Sequence, residues 1–225
     1  MTEAVIQGRR LQVGPTDRTS AARTPTQPLI PIPPAARRSF TPFIERAPGL
    51  RAGENDLTRI APGRPRAEGD VLALTGRITD QYGRPLRRTL VEIWNANKWG
   101  RYTHIDDPAR EPLDPNFLGF GRCMTDDEGR YAFLTIRPAH YLARPDIGRW
   151  RPAHVHFSVR GGGARLITQM YFAGDEHLPR DPCFALLGDA AGRHVVEEQP
   201  SATPDTDLEA RFDIVVGGRS ASWFE

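Results

Sequence analysis

From Asp70 onward, apolar and polar residues alternate in short runs separated by turn residues. Val71-Leu-Ala-Leu-Thr-Gly-Arg-Ile-Thr79 leads into the turn Asp80-Gln-Tyr-Gly-Arg-Pro85. Leu90-Val-Glu-Ile-Trp94 alternates, and the turn Thr125-Asp-Asp-Glu-Gly129 precedes Tyr131-Ala-Phe-Leu-Thr-Ile136. His154 to Arg160 and Leu166 to Phe172 alternate again, and Ala210-Arg-Phe-Asp-Ile-Val-Val216 closes the set. A period of two places successive side chains on opposite faces of a strand. Regular strands between Gly, Pro and Asp turns predict an all-β chain folded as an antiparallel β-sandwich with little helix. At most one helical turn is expected, over Asp205 to Ala210.

The amino-terminal part reads differently. Residues 1 to about 40 are rich in Pro, Thr, Arg and Ala and hold no sustained period. Pro25-Thr-Gln-Pro-Leu-Ile-Pro-Ile-Pro-Pro34 can donate few backbone hydrogen bonds and favours extended chain. Leu29, Ile30 and Ile32 within it suit an arm laid on a partner. The expected organisation is therefore an extended arm and connecting segment over residues 1–69, followed by a sandwich domain over 70–225 that carries the chemistry. A chain of 225 residues can bury a substantial core unaided. Its formal net charge of +2, with no block of Lys and Arg, argues against nucleic acid as a partner. No run of apolar residues is long enough for a membrane span, and the first residues lack the apolar core of a secretory signal. A cytoplasmic protein is expected, with Cys123 and Cys183 as two reduced thiols.

The candidate chemistry lies in Arg151-Pro-Ala-His154-Val-His156-Phe157 and in two tyrosines, Tyr102 and Tyr141. A His-x-His pair on a strand presents both imidazoles on one face. Two neutral nitrogens with two phenolates make a hard, anionic donor set, which suits trivalent iron better than zinc or copper(I). The same residues also have ordinary readings: a strand histidine pair can be satisfied in a core, and a loop tyrosine is often half-buried. His104 and His140 each flank a tyrosine and compete as ligands on spacing alone. His177 and His194 fall in loop-like stretches and read as surface residues.

Several strings together are recognisable: Val91-Glu-Ile-Trp-Asn-Ala-Asn97, Gly100-Arg-Tyr102, Leu113-Asp-Pro-Asn-Phe117, Gly121-Arg-Cys-Met-Thr-Asp126, Thr135-Ile-Arg-Pro138, Arg151 to Phe157 and Thr168-Gln-Met-Tyr-Phe172. In order and spacing they resemble the intradiol ring-cleaving dioxygenases, above all the iron-bearing β subunits of those that act on protocatechuate. The resemblance implies a non-haem Fe(III) held by Tyr102, Tyr141, His154, His156 and a solvent hydroxide. Two phenolates and a hydroxide balance the ferric charge, so a buried centre can be neutral. The implied reaction opens a catechol ring between its two hydroxylated carbons with O2, giving a cis,cis-muconate; protocatechuate to 3-carboxy-cis,cis-muconate is the first expectation. Tyr141 is the ligand expected to leave the metal when substrate enters. Arg151 resembles the family's arginine facing the charge that develops on the ring. Gln169 matches a pocket glutamine and Trp94 a pocket tryptophan, although plain core packing would also account for Trp94. The resemblance further implies a paralogous α subunit in a hetero-oligomer, with a homo-oligomer as the fallback.

The chain departs from the family pattern at three places. After Tyr141 the family commonly reads Pro-Trp-Arg-Asn, whereas here it reads Leu142-Ala143-Arg144-Pro145; Ala143 should enlarge or reshape the pocket. Asp17 falls near a family tyrosine that adjoins the substrate carboxylate, and would repel a carboxylate unless Arg18 compensates. Cys183 replaces an aliphatic pocket residue. These changes leave the chemistry intact and open the ring substituent, so another substituted catechol is the alternative substrate. A different class remains as well. Gly76-Arg-Ile-Thr-Asp80-Gln-Tyr-Gly83 and Thr125-Asp-Asp-Glu-Gly-Arg-Tyr-Ala-Phe133 also resemble transthyretin-like modules, which would make the chain a non-catalytic binding domain.

Overall fold

The computed structural model describes residues 2–6, 9–13, 50–104, 107, 109–161, 164–217 and 222. Near the amino terminus β1 (Thr2–Ile6) and β2 (Arg9–Val13) pair as an antiparallel hairpin. The strands that follow are β3 (Val71–Asp80), β4 (Leu90–Asn95), β5 (Phe120–Met124) and β6 (Arg130–Ile136). A small hairpin, β7 (Tyr141–Arg144) and β8 (Arg149–Arg151), precedes the long strands β9 (His154–Gly161) and β10 (Ala164–Phe172). Four short strands complete the chain: β11 (Val195–Val196), β12 (Gln199–Pro200), β13 (Leu208–Arg211) and β14 (Ile214–Val216).

Two five-stranded sheets form the sandwich, the first ordered β11-β10-β9-β4-β5. In the second, β3 pairs with β6 on one side and with β13 and then β14 on the other, and β12 extends from β13. The sandwich matches the sequence expectation, but not every pairing is antiparallel. β13 and β14 run parallel to β3, and β11 runs parallel to β10. The alternation pattern marks which residues are strand but not which way a neighbour runs.

Ala210 to Val216 is likewise not one strand. It breaks at Phe212 and Asp213, where Phe212 N–H still bonds to Thr75 and the Asp213 carboxylate accepts from Arg77 N–H at 2.8 Å. Phe212 turns into the core, and its carbonyl accepts the Tyr131 hydroxyl. Gly76 is required beneath this crossing, since a Cβ there would collide with the Phe212 carbonyl and the Tyr131 ring. The helical turn expected at Asp205 to Ala210 is instead strand from Leu208; among the described residues the α-helical turn is Pro182–Ala185.

Alternate positions from both sheets interlock in the core, among them Leu72, Leu74, Ile78 and Phe133 against Ile93, Val155, Phe157 and Met170. Burial of such side chains supplies the main driving force for folding. Residues 50–69, assigned from sequence to the connecting segment, also enter this packing. Leu57 is fully buried, its N–H bonds to the Leu134 carbonyl, and Glu54 forms a two-pronged ion pair with Arg122. Asp17, Arg18 and the Pro25–Pro34 run lie outside the described residues.

Candidate metal centre

The packing of β9 decides where its histidines go. Val155, Phe157 and Val159 point into the core, so His154 and His156 stand on the outer face of the first sheet. Register then assembles the neighbours: His156 lies opposite Trp94 on β4 and Gln169 on β10, and His154 lies opposite Tyr171. The Trp94 ring lies flat on His156, centroids 4.8 Å apart and planes 5° from parallel. Trp94 therefore belongs to the site face and not to the sandwich core.

Two tyrosines arrive over this face from separate segments, Tyr102 from a loop and Tyr141 from the start of β7. Past β4, the buried Asn97 carboxamide accepts from the N–H groups of Trp99 and Arg101 and donates to the Pro112 carbonyl. Tyr102 N–H is held by the Asp107 carboxylate at 2.6 Å. Gly100 lets this loop press against the second tyrosine segment. Its φ is +82°, and a Cβ would stand 2.6 Å from the His140 carbonyl oxygen and 2.8 Å from Tyr141 Cβ. Tyr141 opens β7, directly across from Arg151 on β8. A bulge follows between Leu142 and Arg144, so Ala143 is the extra, unpaired residue of that hairpin.

Three donor atoms converge. The Tyr102 hydroxyl is 3.1 Å from His154 Nε2, which is itself 3.1 Å from His156 Nε2. The Tyr141 ring meets Tyr102 edge-on at 5.5 Å and lies 5.8 Å from the His154 ring. His154 Nδ1 faces the Pro152 carbonyl at 2.7 Å, which fixes the proton on that nitrogen and leaves Nε2 with its lone pair facing the cluster. Ligands held about 2.1 Å from one ion and at right angles to one another stand about 3.0 Å apart. The spacing therefore fits a common metal ion, and two imidazoles with two phenols match the hard donor set of ferric iron.

The electrostatics separate the two kinds of donor. Burial, helped by Arg151 and then His156, holds His154 well below its ordinary pKa. Burial and Arg151 bring His156 down to about 3. Both rings are therefore neutral at pH 7, as nitrogen ligands must be. Burial and the adjacent Tyr141 push the Tyr102 phenol well above its ordinary value, and burial raises Tyr141 despite Arg151. Only a strongly charged cation in the cluster would make phenolates of them.

Arg151 is fixed beside the cluster by the expected Gln169 and by Asp181, which the sequence pattern does not single out. Its guanidinium bonds to Gln169 Oε1 at 2.8 Å and forms an ion pair with Asp181 at 3.1 Å. Tyr171, fully buried, donates to Gln169 Oε1 at 2.9 Å. The available signal for Asp181 was Asp181-Pro182, a capping residue followed by proline at the first helical position; the carboxylate accepts from the N–H groups of Cys183 and Phe184. Cys183, half-buried, lies within electrostatic reach of Arg151 and Tyr141, which places it near the site. Both cysteines are free thiols.

The competing histidines separate cleanly. His104 is exposed, and His140 packs against Trp150 and His177 outside the cluster. His194 is not the surface residue that its loop-like sequence suggests. It is fully buried, with Nδ1 facing the Gln169 carbonyl at 2.9 Å.

Comparison with known proteins finds relatives over most of the chain. Residues 42–218 match a dioxygenase family model. The chain is 44% identical to the protocatechuate 3,4-dioxygenase beta chain of Burkholderia cepacia over 217 residues, covering 95% of this chain and 92% of that one. It is 35% identical to catechol 1,2-dioxygenase of Acinetobacter baylyi over 160 residues, or 66% of this chain and 50% of the relative. The crystal structure of 3-chlorocatechol 1,2-dioxygenase from Rhodococcus opacus 1CP superposes with a TM-score of 0.57 at 26% identity, covering 75% of this chain and 68% of that one.

Proposed function

This chain belongs to the intradiol ring-cleaving dioxygenases, and on that premise we propose that it is a non-haem Fe(III) enzyme that opens protocatechuate between its two hydroxylated carbons. Tyr102, Tyr141, His154 and His156 hold the metal. The observation that carries the proposal is the convergence of Tyr102 Oη and the two Nε2 atoms at 3.1 Å spacing. When bound, ferric iron supplies Lewis acidity that favours the catechol dianion and makes its ring reactive towards O2.

The protein's own residues do the rest. Tyr141 rides on a bulged two-strand hairpin, a mount able to swing, whereas Tyr102 is pinned by Asp107. The Tyr141 phenolate oxygen is the atom that takes one proton from the entering catechol. Arg151 holds a fixed positive charge where negative charge develops on the ring, and Asp181 with Gln169 sets its orientation. Trp94, lying on His156, keeps that imidazole from rotating and keeps water off its face. The four donor residues come from β9, from the start of β7 and from the loop after β4, so the chain can supply the whole metal set itself.

Visible absorption of the purified protein, before and after anaerobic addition of protocatechuate and then catechol, tests this. A burgundy tyrosinate-to-iron band that shifts with protocatechuate is the expected result. Colourless protein that takes up no iron on reconstitution overturns the proposal.

Another substituted catechol is the second reading for the substrate. Ala143 at the bulge and Cys183 beside Arg151 both depart from the family's bulkier or aliphatic residues. The family resemblance would put Asp17 near the substrate carboxylate, a charge unsuited to it unless Arg18 compensates. Steady-state specificity constants decide: a preference for protocatechuate by orders of magnitude eliminates this reading.

The beta-chain relative and the Pro-rich arm support a hetero-oligomer with a paralogous α subunit, in the cytoplasm, with a homo-oligomer as the fallback. Among the described residues no helix is long and apolar enough to cross a membrane. Full activity from a monomer of this chain in light scattering would remove both assemblies.

A further inference from the structure

We infer that His140, His177 and Glu176 form a second cation site, outside the tyrosine–histidine cluster, which takes a borderline divalent ion of the zinc class. Each side chain offers one donor atom, and the three atoms lie within 4.8 Å of one another. The imidazoles sit close, with centroids 4.5 Å apart and planes at 77°. Trp150 holds them in place: its ring stacks on His177 at 5.1 Å and 7°, and meets His140 edge-on at 5.5 Å.

Behind them, the Asp175 carboxylate organises the segment. One oxygen accepts His177 N–H at 2.9 Å, the other accepts Ala153 N–H at 2.8 Å, and that second oxygen faces His140 Nδ1 at 4.0 Å. At 4.0 Å this is an electrostatic contact short of a hydrogen bond, on the side of the ring where a carboxylate commonly orients a metal-binding histidine. Glu176 is the exposed member, its side chain 77% exposed and 3.9 Å from His177 Nε2. Rotation of that side chain, together with small shifts of the two rings, would bring the donors to the roughly 3.4 Å separation that tetrahedral coordination at about 2.1 Å requires.

The donor set selects the ion. Two imidazoles and one carboxylate, with a remaining position for water, suit Zn2+ and its neighbours. Calcium and magnesium want more oxygen ligands than the three side chains offer. The ion would also act as a tether. His140 immediately precedes Tyr141, and Glu176 and His177 lie in the loop that leads to Asp181, the partner of Arg151. Occupancy joins two segments that frame the main site.

The test is a calorimetric titration of the iron-loaded full chain with ZnCl2 in a non-chelating buffer, followed by thermal melts. The expected result is one equivalent of zinc bound beyond the iron content, with a visible spectrum unchanged and a melting temperature that rises with zinc concentration. His177→Ala and Glu176→Gln should each weaken zinc binding at least tenfold. The glutamine variant removes a donor charge without disturbing the ring stack, so it remains informative if His177→Ala folds poorly. Absence of saturable binding, equal affinity in both variants, or zinc uptake only with loss of the iron band each overturns the inference. Because the readout is zinc binding and not turnover, a failure of the iron assignment would be seen separately, in the metal content before titration.

Discussion

Asp181 is the counter-ion of Arg151, 3.1 Å away, with its side chain fully excluded from solvent and that of Arg151 only 13% exposed. An ion pair so placed is costly to break, because loss of one partner leaves the other charged and desolvated. Asp181→Asn should cost about 3 kcal/mol in stability, read from urea unfolding, and should also lower kcat/KM by loosening Arg151. An unchanged urea midpoint would show that water screens the pair.

Gly100 separates two tyrosine-bearing segments that touch through it. Gly100→Ala meets both a left-handed backbone and the His140 carbonyl, so a loss of about 2 kcal/mol or more is expected. Iron content per chain should fall with it, since Tyr102 and Tyr141 would be pushed apart. Full iron content with a normal melting temperature contradicts this account.

Trp94→Ala removes the ring that covers His156. Aromatic stacking of this kind is worth about 1 kcal/mol beyond the buried area. The variant should keep its fold but release iron several-fold faster to a chelator, followed as decay of the visible band. An identical release rate would mean that the flanking ligands alone position His156.

The metal-free chain should lose stability in acid. His154 and His156 have folded-state pKa values below those of the unfolded chain, and burial lowers His194 as well. Below about pH 6.5 the unfolded chain binds protons that the folded one refuses, so stability falls as pH falls. For His156 the window extends down to about 3. Urea midpoints of metal-free protein measured from pH 7.5 to pH 4.5 should decline steadily. A flat profile would mean that these rings take up protons without unfolding.

The sequence by itself determined the long strands β3, β4, β6, β9 and β10 and the candidate donors. Alternation along Val71–Thr79 and His154–Arg160 places apolar side chains on one face whatever their partners, because strand geometry has a period of two. It thereby put His154 and His156 on a shared face, and the family resemblance of the surrounding motifs pointed to Tyr102 and Tyr141. Only the tertiary structure decided which face met the core and which neighbours crossed the strands. Register set Trp94 and Gln169 beside His156, and brought Asp181 to Arg151 across 30 residues of chain. The same holds for the parallel pairing of β13 and β14 with β3, the break at Phe212, and the burial of His194. Local periodicity reports the environment of one segment; pairing direction and long-range contact depend on what other segments leave unfilled, which the alternation of one strand does not encode.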